Sequence, residues 1–289
     1  MRFPKLSDLP PLPPGKSGWP WTGEDTFMHD TGPDGSFWPK ISIVTPSFNQ
    51  GKFIEETIRS VLLQGYPNME YIIIDGGSTD GTIEIIKKYE KWLTYWVSEP
   101  DRGQSHAINK GFNLSKGEII AWINSDDFYL QGTLKKIADF FCKNADTDMV
   151  FGECHTINEK YEMVKIREVP NEFDLQRLIT SDCFINQPST FFRRRVIDDV
   201  GGLCESLEFS MDYDLWIRIG LKYKVKRIDA DLSCFRQHPN AKTTCQSNNP
   251  LQYLENLKIQ KKYGGIKQKY EYYRHIVIVS IKSWVRANK

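Results

Sequence analysis

The chain has 289 residues, of which 40% are hydrophobic and 26% charged, and its formal net charge is +1. These values exclude a largely disordered chain and argue against a global nucleic-acid binder, so we expect no nucleic-acid partner. No run approaches the roughly 20 apolar residues that a membrane-spanning helix needs, and the first residues lack the apolar core of a signal peptide. Because the six cysteines are dispersed without metal-binding spacing, we expect reduced thiols and a cytoplasmic location.

Residues 1–39 form a segment of their own, which contains eight of the 15 prolines. This density disfavours regular helices and central strands, because proline fixes φ and lacks a backbone donor. Large aromatic rings at Trp19, Trp21 and Trp38 are more than a disordered tail would carry. We therefore expect an extended arm that wraps onto the body. A proline-rich ligand for a partner protein is the alternative.

Strand-like and helix-like patterns alternate in the region that follows. The predicted elements are strand 41–46, helix 54–62, strand 71–75, a helix from about 83 to 93, strand 94–98, helix 104–114, strand 119–123 and helix 132–141. Such repetition predicts a three-layer α/β/α fold with a mostly parallel central sheet and helices on both faces.

The pattern loosens after residue 146. Shorter strands are predicted at 149–152, 162–166, 189–192 and 224–228, and helices at 173–179 and 212–220. The helix at 212–220 begins with acidic residues, which suits the positive end of a helix dipole.

The last forty residues are basic. Residues 250–289 contain nine Lys or Arg and two Glu, with apolar residues interleaved. This pattern allows peripheral contact with an anionic membrane surface. Ordinary helices with solvated basic faces are the alternative.

Acidic side chains follow three of the predicted parallel strands. Asp75 ends one strand, Glu99 and Asp101 follow the next, and Asn124-Ser125-Asp126-Asp127 follows a third. The carboxyl ends of parallel strands meet at one edge of a sheet, so we expect these acids to share a crevice. Adjacent carboxylates repel each other unless a cation compensates, and hard oxygen ligands suit Mg²⁺ or Mn²⁺ carrying a substrate phosphate. A solvated turn that happens to contain two aspartates is the alternative.

Other residues extend the chemistry of this crevice. Asp75 has the chemistry to accept hydrogen bonds from a nucleobase imide or a ribose hydroxyl, and Arg102 or Lys110 to meet phosphate charge. The sequence contains no P-loop, no dinucleotide-binding glycine motif and no Gly-x-Ser-x-Gly elbow. A metal and nucleotide site without hydrolase machinery indicates group transfer.

Four motifs occur in order at or near predicted strand ends, at residues 41–49, 75–82, 109–111 and 124–127. Together they resemble the family 2 glycosyltransferases, which are nucleotide-sugar-dependent enzymes of the GT-A fold. The resemblance is strongest over residues 41–130 and continues more loosely to about residue 240.

The resemblance implies a division of the chain into three parts. A GT-A domain would span residues 40–245, with a nucleotide-binding half at 40–130 and an acceptor-binding half at 131–245. The arm at 1–39 would precede it, and a basic helical extension at 246–289 would follow.

The resemblance also implies roles for individual residues. The implied nucleotide-binding residues are Thr45, Pro46, Ser47, Phe48, Asp75, Arg102, Gln104, Lys110, Ser125 and Asp126. Asp127 would be the principal ligand of Mg²⁺ or Mn²⁺, with Asp126 and His238 also reaching the cation. Asn124 stands where the family has the first acid of an Asp-x-Asp motif, so metal binding would depend more heavily on Asp127.

The family's catalytic base usually lies in an acidic pair at the start of a later helix. Here Met211 takes the place often held by Glu, which leaves Asp212 as the matching acid and Asp214 as its competitor. Asp212 would remove the proton of the acceptor hydroxyl as it attacks the anomeric carbon.

The resemblance therefore implies inverting transfer of a sugar from a nucleotide-sugar donor to a hydroxyl of a glycan or lipid-linked acceptor. A UDP-linked donor is expected from family frequency alone. Two alternatives remain: a sugar nucleotidyltransferase, which would form a nucleotide sugar and pyrophosphate from an NTP, and a catalytically silent GT-A-like scaffold.

Overall fold

The computed structural model describes residues 4–32, 35–166, 169–242 and 250–264. The strands are β1 Ile41–Ser47, β2 Met69–Asp75, β3 Tyr95–Ser98, β4 Ile119–Trp122, β5 Phe128–Tyr129, β6 Met149–Asn158, β7 Met163–Ile166, β8 Thr190–Arg193 and β9 Val225–Gln237. The α-helices are α1 Ile54–Leu62, α2 Thr82–Tyr89, α3 Gln104–Leu114, α4 Thr133–Lys143, α5 Leu175–Thr180, α6 Arg194–Val200, α7 Met211–Gly220 and α8 Pro250–Gly264.

One sheet runs through the protein in the order β3-β2-β1-β4-β8-β6-β9-β5, with β7 beside β6. The first four of these strands pair in parallel, as predicted. Beyond β4 the sheet is mixed, because β8 is antiparallel to both β4 and β6, whereas β9 is parallel to β6. The predicted α/β fold is confirmed, and its parallel part is concentrated in the first half of the chain.

Strands β1 and β2 are buried along their whole length because helices cover both faces of the sheet. Ile43 and Tyr71 point into a core shared with α1 and α4. Their neighbours Val44 and Ile72 point into a second core shared with α3 and α7. This alternation across the pleat produces the three predicted layers.

Strand register brings the predicted ligand-binding edge together. Ser47 pairs with Asp75, and Asp75 pairs with Ser98, so β1, β2 and β3 end side by side. On the other side of β1, Val44 lies opposite Trp122, the last residue of β4. The segment Asn124 to Asp127 therefore emerges at the same edge as Asp75.

The described part of the arm packs on the body. Arg59 of α1 is 1% exposed. Its guanidinium donates hydrogen bonds to the carbonyl oxygens of Pro10, Pro20 and Trp21 at 3.1–3.3 Å. A buried cation is costly unless it is hydrogen-bonded, so these arm carbonyls satisfy a group that would otherwise need water.

Strand β9 is longer than the predicted strand at 224–228. It continues to Gln237 and pairs with β6 through two register shifts near Glu153. Asp229 and Asp231 interrupt the apolar pattern in sequence. The continuation carries the chain to His238, beside the turn after β4.

Helix α8 docks on the body through buried Leu257 and Ile259. Its Gln260 donates to the carbonyl oxygen of Ser181 at 3.0 Å. This part of the predicted membrane segment therefore has an intramolecular partner, whereas residues 265–289 lie outside the described residues. Within the described ranges, no helix has the length and apolar character needed to cross a membrane.

Candidate active site

A cleft of about 1240 Å³ opens at the carboxyl edge of the parallel strands. Its walls come from the end of β1, the turn after β4, residues 240–242 and the starts of α7 and α8. The predicted site residues that line it are Pro46, Ser47, Phe48, Gln104, Ser125, Asp126 and Asp212. The remaining predicted residues, Thr45, Asp75, Arg102, Lys110, Asp127 and His238, lie behind or beside these walls.

Asp75 lies behind the wall and supports the turn after β2. Its side chain is 0% exposed. Its carboxylate accepts hydrogen bonds from the backbone N–H groups of Gly77 and Ser78, and from the hydroxyls of Ser78 and Ser98, at 2.5–3.1 Å. Thr45 is also buried, and its hydroxyl pairs with that of Tyr71 at 3.1 Å. Both side chains are therefore hydrogen-bonded to other groups of the protein behind the cleft wall.

The two predicted phosphate-binding cations are paired with acids beside the cleft. Arg102 is exposed and forms an ion pair with Glu205 at 2.8 Å. Lys110 forms an ion pair with Glu99. Neither cation lines the cleft in this arrangement.

The two adjacent aspartates after β4 have different environments. Asp127 is 1% exposed, and its Oδ1 accepts the backbone N–H of Arg236 at 2.9 Å. Burial, together with the neighbouring charge of Asp126, raises the pKa of Asp127 well above its usual value. Asp126 lines the cleft, and its Oδ2 lies 3.1 Å from Nε2 of His238. The carboxylate of Asp126 and the imidazole of His238 therefore lie within hydrogen-bond distance of each other.

Arg236 holds this turn in place. Its Nε donates to the carbonyl oxygen of Asp126 at 3.0 Å, and its guanidinium forms an ion pair with Glu56 at 3.0 Å. Both side chains of the pair are 3% exposed. The guanidinium also lies 5.1–5.4 Å from the ring centroids of Phe53, Phe128 and Tyr161. Sequence reasoning missed Arg236, whose only signal was its position two residues before His238.

Asn124 joins a row of amide side chains along the cleft. Its Oδ1 accepts from Gln104 at 2.8 Å, and its Nδ2 donates to Gln187 at 3.2 Å. Gln187 in turn donates to the carbonyl oxygen of Trp122 at 2.8 Å. This arrangement uses both a donor and an acceptor of Asn124, which an ionised aspartate at this position would not provide.

At the start of α7, Asp212 lines the cleft and Asp214 does not. Asp214 is 3% exposed and bonds to Arg218 at 2.7 Å, Lys262 at 3.1 Å and the Tyr263 hydroxyl at 3.0 Å. Burial opposes its ionisation, but the charges and hydrogen bonds of Arg218 and Lys262 hold the pKa of Asp214 below its usual value. Asp214 is therefore committed to a buried ion pair.

Helix α8 holds the segment that leads into α7. The carboxylate of Glu255 accepts the backbone N–H groups of Glu208, Phe209 and Ser210 at 2.8–3.0 Å. The Ser210 hydroxyl donates to Asn256 at 2.6 Å. Because Asn256 also lines the cleft, α8 belongs to the site.

Lys242 is the one basic side chain that lines the cleft among the residues described. Burial lowers its pKa, while the charges of Glu208, Glu255 and Asp212 act in the opposite direction. Its ammonium lies 5.3 Å from the ring centroid of Phe209. No pattern in the sequence marked this lysine.

The donor set at Asp126 suits a divalent cation that is only partly held by protein. Across the described ranges, no group of three or more His, Cys, Asp or Glu side chains is placed to hold a metal ion. Asp126 and His238 would supply two ligands. Mg²⁺ and similar cations commonly take the remainder from substrate phosphate and water, so the residues fit such a metal.

The sequence model of the family "Glycosyl transferase family 2" matches residues 42–201. This match covers more than half of the chain and contains all of β1 except Ile41, together with β2 to β8 and the Asn124 to Asp127 turn. The chain belongs to glycosyl transferase family 2. It is accordingly a glycosyltransferase, as the sequence resemblance implied.

Curated relatives agree with this membership. The chain is 27% identical over 233 residues to an uncharacterized glycosyltransferase of Rickettsia typhi. The alignment covers 77% of this chain and 71% of the relative. It is 28% identical over 240 residues to an uncharacterized glycosyltransferase of Methanocaldococcus jannaschii, with 78% and 77% covered. A Rickettsia conorii relative, 28% identical over 193 residues, is matched over only 31% of its own length.

Solved structures share the fold. S. aureus TarS residues 1–349 in complex with UDP-GlcNAc gives a TM-score of 0.64 at 21% identity, covering 77% of this chain and 66% of that chain. The mannosyltransferase PcManGT of Pyrobaculum calidifontis, in complex with GDP-Man and Mn²⁺, gives 0.60 at 17% identity, covering 81% and 68%. The family 2 chain therefore has the expected GT-A fold.

Proposed function

We propose that this family 2 enzyme transfers a sugar from a nucleotide-sugar donor to an acceptor hydroxyl with inversion, and that Asp212 is the general base. One observation carries the proposal. A single cleft is lined by Asp126 of the turn after β4 and by Asp212 of α7, while the acid near each of them in sequence, Asp127 or Asp214, is buried and hydrogen-bonded.

The donor nucleotide would lie along the end of β1. Pro46, Ser47 and Phe48 line the cleft there, and the Phe48 ring is 60% exposed. Lys242 is the cation placed to face the diphosphate, in place of Arg102 and Lys110, which are already paired with acids. The neighbours solved with UDP-GlcNAc and with GDP-Man support a nucleotide-sugar donor, and UDP remains our first choice.

Asp126 and His238 would hold Mg²⁺ or Mn²⁺. The cation, when bound, supplies positive charge that stabilises the departing nucleoside diphosphate. We assign the leading role to Asp126 and a supporting role to Asp127, because burial and the hydrogen bond from Arg236 turn Asp127 away from the cleft. The sequence had favoured Asp127.

Asp212 would take the proton of the acceptor hydroxyl. As the hydroxyl oxygen forms its bond to the anomeric carbon, the bond from that carbon to the diphosphate oxygen breaks, and the proton passes to the Asp212 carboxylate. Direct displacement from the opposite face inverts the anomeric centre.

The acceptor would lie against the amide-rich part of the cleft. Asn186, Gln187, Gln252 and Asn256 line this part, and amides both donate to and accept from sugar hydroxyls. The Nδ2 group of Asn186 is buried without a hydrogen-bond partner in the described part of the chain. We propose a glycan or lipid-linked glycan as the acceptor.

The test measures release of nucleoside diphosphate from UDP- and GDP-sugars in the presence of Mn²⁺. Asp212→Asn should lower turnover by about 10²–10⁴-fold, the usual contribution of a general base, and leave the affinity for nucleoside diphosphate unchanged. Asp182→Asn is the matched control, since Asp182 also lines the cleft. Normal turnover in Asp212→Asn would refute the assignment, and turnover of NTPs alone would indicate a nucleotidyltransferase.

A further inference from the structure

We propose that Asp101 selects the nucleobase of the donor by accepting a hydrogen bond from a ring N–H. This inference rests on the proposed nucleotide-sugar function and extends it. It predicts that the enzyme prefers uracil, thymine or guanine nucleotides over those of cytosine or adenine.

Asp101 is the acid that reaches the cleft from the neighbouring strand ends. Of the described acids Asp75, Glu99 and Asp101, which end or follow β2 and β3, only Asp101 lines the cleft. Asp75 is 0% exposed and fully engaged with its own turn, and Glu99 is paired with Lys110. Sequence analysis suggested Asp75 for base recognition, but Asp101 is the carboxylate that lies at the surface of the cleft.

The missing side chain of Gly76 creates the space that Asp101 occupies. A Cβ atom placed on Gly76 would lie 2.8 Å from Oδ2 and 3.2 Å from Cγ of Asp101. On its other side, Oδ1 accepts the backbone N–H of Gly103 at 2.7 Å, which fixes the carboxylate. Gly76 and Gly103 both line the cleft, so the carboxylate of Asp101 between them lies at the cleft surface.

The end of β1 lies beside Gly76, because the carbonyl oxygen of Ser47 accepts the backbone N–H of Gly76 at 2.8 Å, and its side chains complete a surface suited to a nucleobase. The Phe48 ring, 60% exposed at the end of β1, offers a face for stacking. The Ser47 hydroxyl is buried and has no hydrogen-bond partner within the described ranges. A planar ring, a hydroxyl and a fixed carboxylate match the stacking face and polar edge of a base.

The carboxylate of Asp101 determines which nucleobase edge can bind beside it. An ionised carboxylate only accepts hydrogen bonds. Uracil and thymine offer one ring N–H, and guanine offers a ring N–H beside an amino group, which suits two-point pairing with both oxygens. Cytosine and adenine lack this ring N–H; they offer only an exocyclic amino group, and the unprotonated ring nitrogen beside it would repel the second carboxylate oxygen. A site that hydrogen-bonds one group discriminates strongly against an analogue that lacks it.

The experiment is calorimetric titration of the full chain with UDP, GDP, CDP and ADP in the presence of Mn²⁺. We expect wild type to bind UDP or GDP at least about tenfold more tightly than CDP and ADP, a modest value for discrimination by a hydrogen bond. Asp101→Asn should abolish this preference, because an amide both donates and accepts. Gly76→Ala should weaken it by displacing the carboxylate. Glu99→Gln, at the neighbouring acid, should keep the wild-type preference.

The outcomes separate this inference from the function on which it rests. If wild type binds no nucleoside diphosphate in a metal-dependent manner, the proposed function fails. If wild type binds but has no preference, or if Asp101→Asn keeps the wild-type preference, base selection by Asp101 is refuted and the transferase function stands. Melting temperatures of the variants confirm that each is folded.

Discussion

The turn after β4 and the start of α7 each carry two acids close together in sequence, and in each region one faces the cleft while the other is buried. The pKa values of the two buried members are shifted in opposite directions. Asp127 accepts hydrogen bonds from uncharged groups beside the charge of Asp126, and its pKa is raised. Asp214 lies against Arg218 and Lys262, and its pKa is lowered. Burial alone therefore does not set the charge of a carboxylate; the charges of its partners decide the direction.

Arg236→Met should produce the largest loss of stability, because it removes the support of the first region. The substitution removes the nearer cation from buried Glu56 and leaves it, among the described residues, only Lys16 at 4.0 Å; losing one partner of a buried pair costs about 3–5 kcal/mol. Urea unfolding measures the loss. Adding Glu56→Gln to Arg236→Met should recover part of it, and equal instability of the single and double variants would contradict the pairing.

Asp214→Asn should have a smaller effect that depends on pH. Hydrogen bonds to charged groups contribute about 1.5–3 kcal/mol, so the variant should be destabilised by that order near neutral pH. Because the folded pKa lies below the unfolded value of about 3.9, the contribution of Asp214 is complete above that value and is lost as pH falls through the folded pKa. Unfolding of wild type and variant from pH 7 to pH 2 should show the difference shrinking; a constant difference would contradict this account.

Glu255→Ala should disturb the second region more mildly. It removes the carboxylate that accepts three backbone N–H groups before α7, a loss comparable with a helix cap, about 0.5–2 kcal/mol. We expect lower turnover with little change in nucleotide affinity, since Asp212 shifts and the donor end does not. Lys258→Ala, on the exposed side of α8, is the control. Unaltered turnover in Glu255→Ala would show that α8 does not position Asp212.

The sequence predicted the parallel strands β1 and β2 better than the long strand β9 for a physical reason. Strands β1 and β2 are buried on both faces, so their apolar runs are continuous and their ends are plain. Strand β9 is partly exposed, and Asp229 and Asp231 interrupt it, so its continuation to Gln237 could not be predicted.

The orientation of side chains was also beyond the sequence. Nothing in the order Asp126-Asp127 indicates which carboxylate faces the cleft, because the choice depends on contacts with Arg236 and His238, more than 100 positions away. Likewise, no pattern in the sequence indicated that Lys242 lines the cleft. The resemblance, in contrast, named Asp212 as the matching acid, and Asp212 lines the cleft; its role as general base stays a prediction.

Asp126→Asn and Asp127→Asn, two isosteric changes at neighbouring positions, show which carboxylate binds the metal. Calorimetric titration with UDP and GDP, with and without Mn²⁺, measures the metal-dependent part of binding. We predict that Asp126→Asn loses this part, whereas Asp127→Asn keeps it, because Asp126 lines the cleft while Asp127 is 1% exposed and accepts the backbone N–H of Arg236. Loss in Asp127→Asn with retention in Asp126→Asn would contradict the assignment.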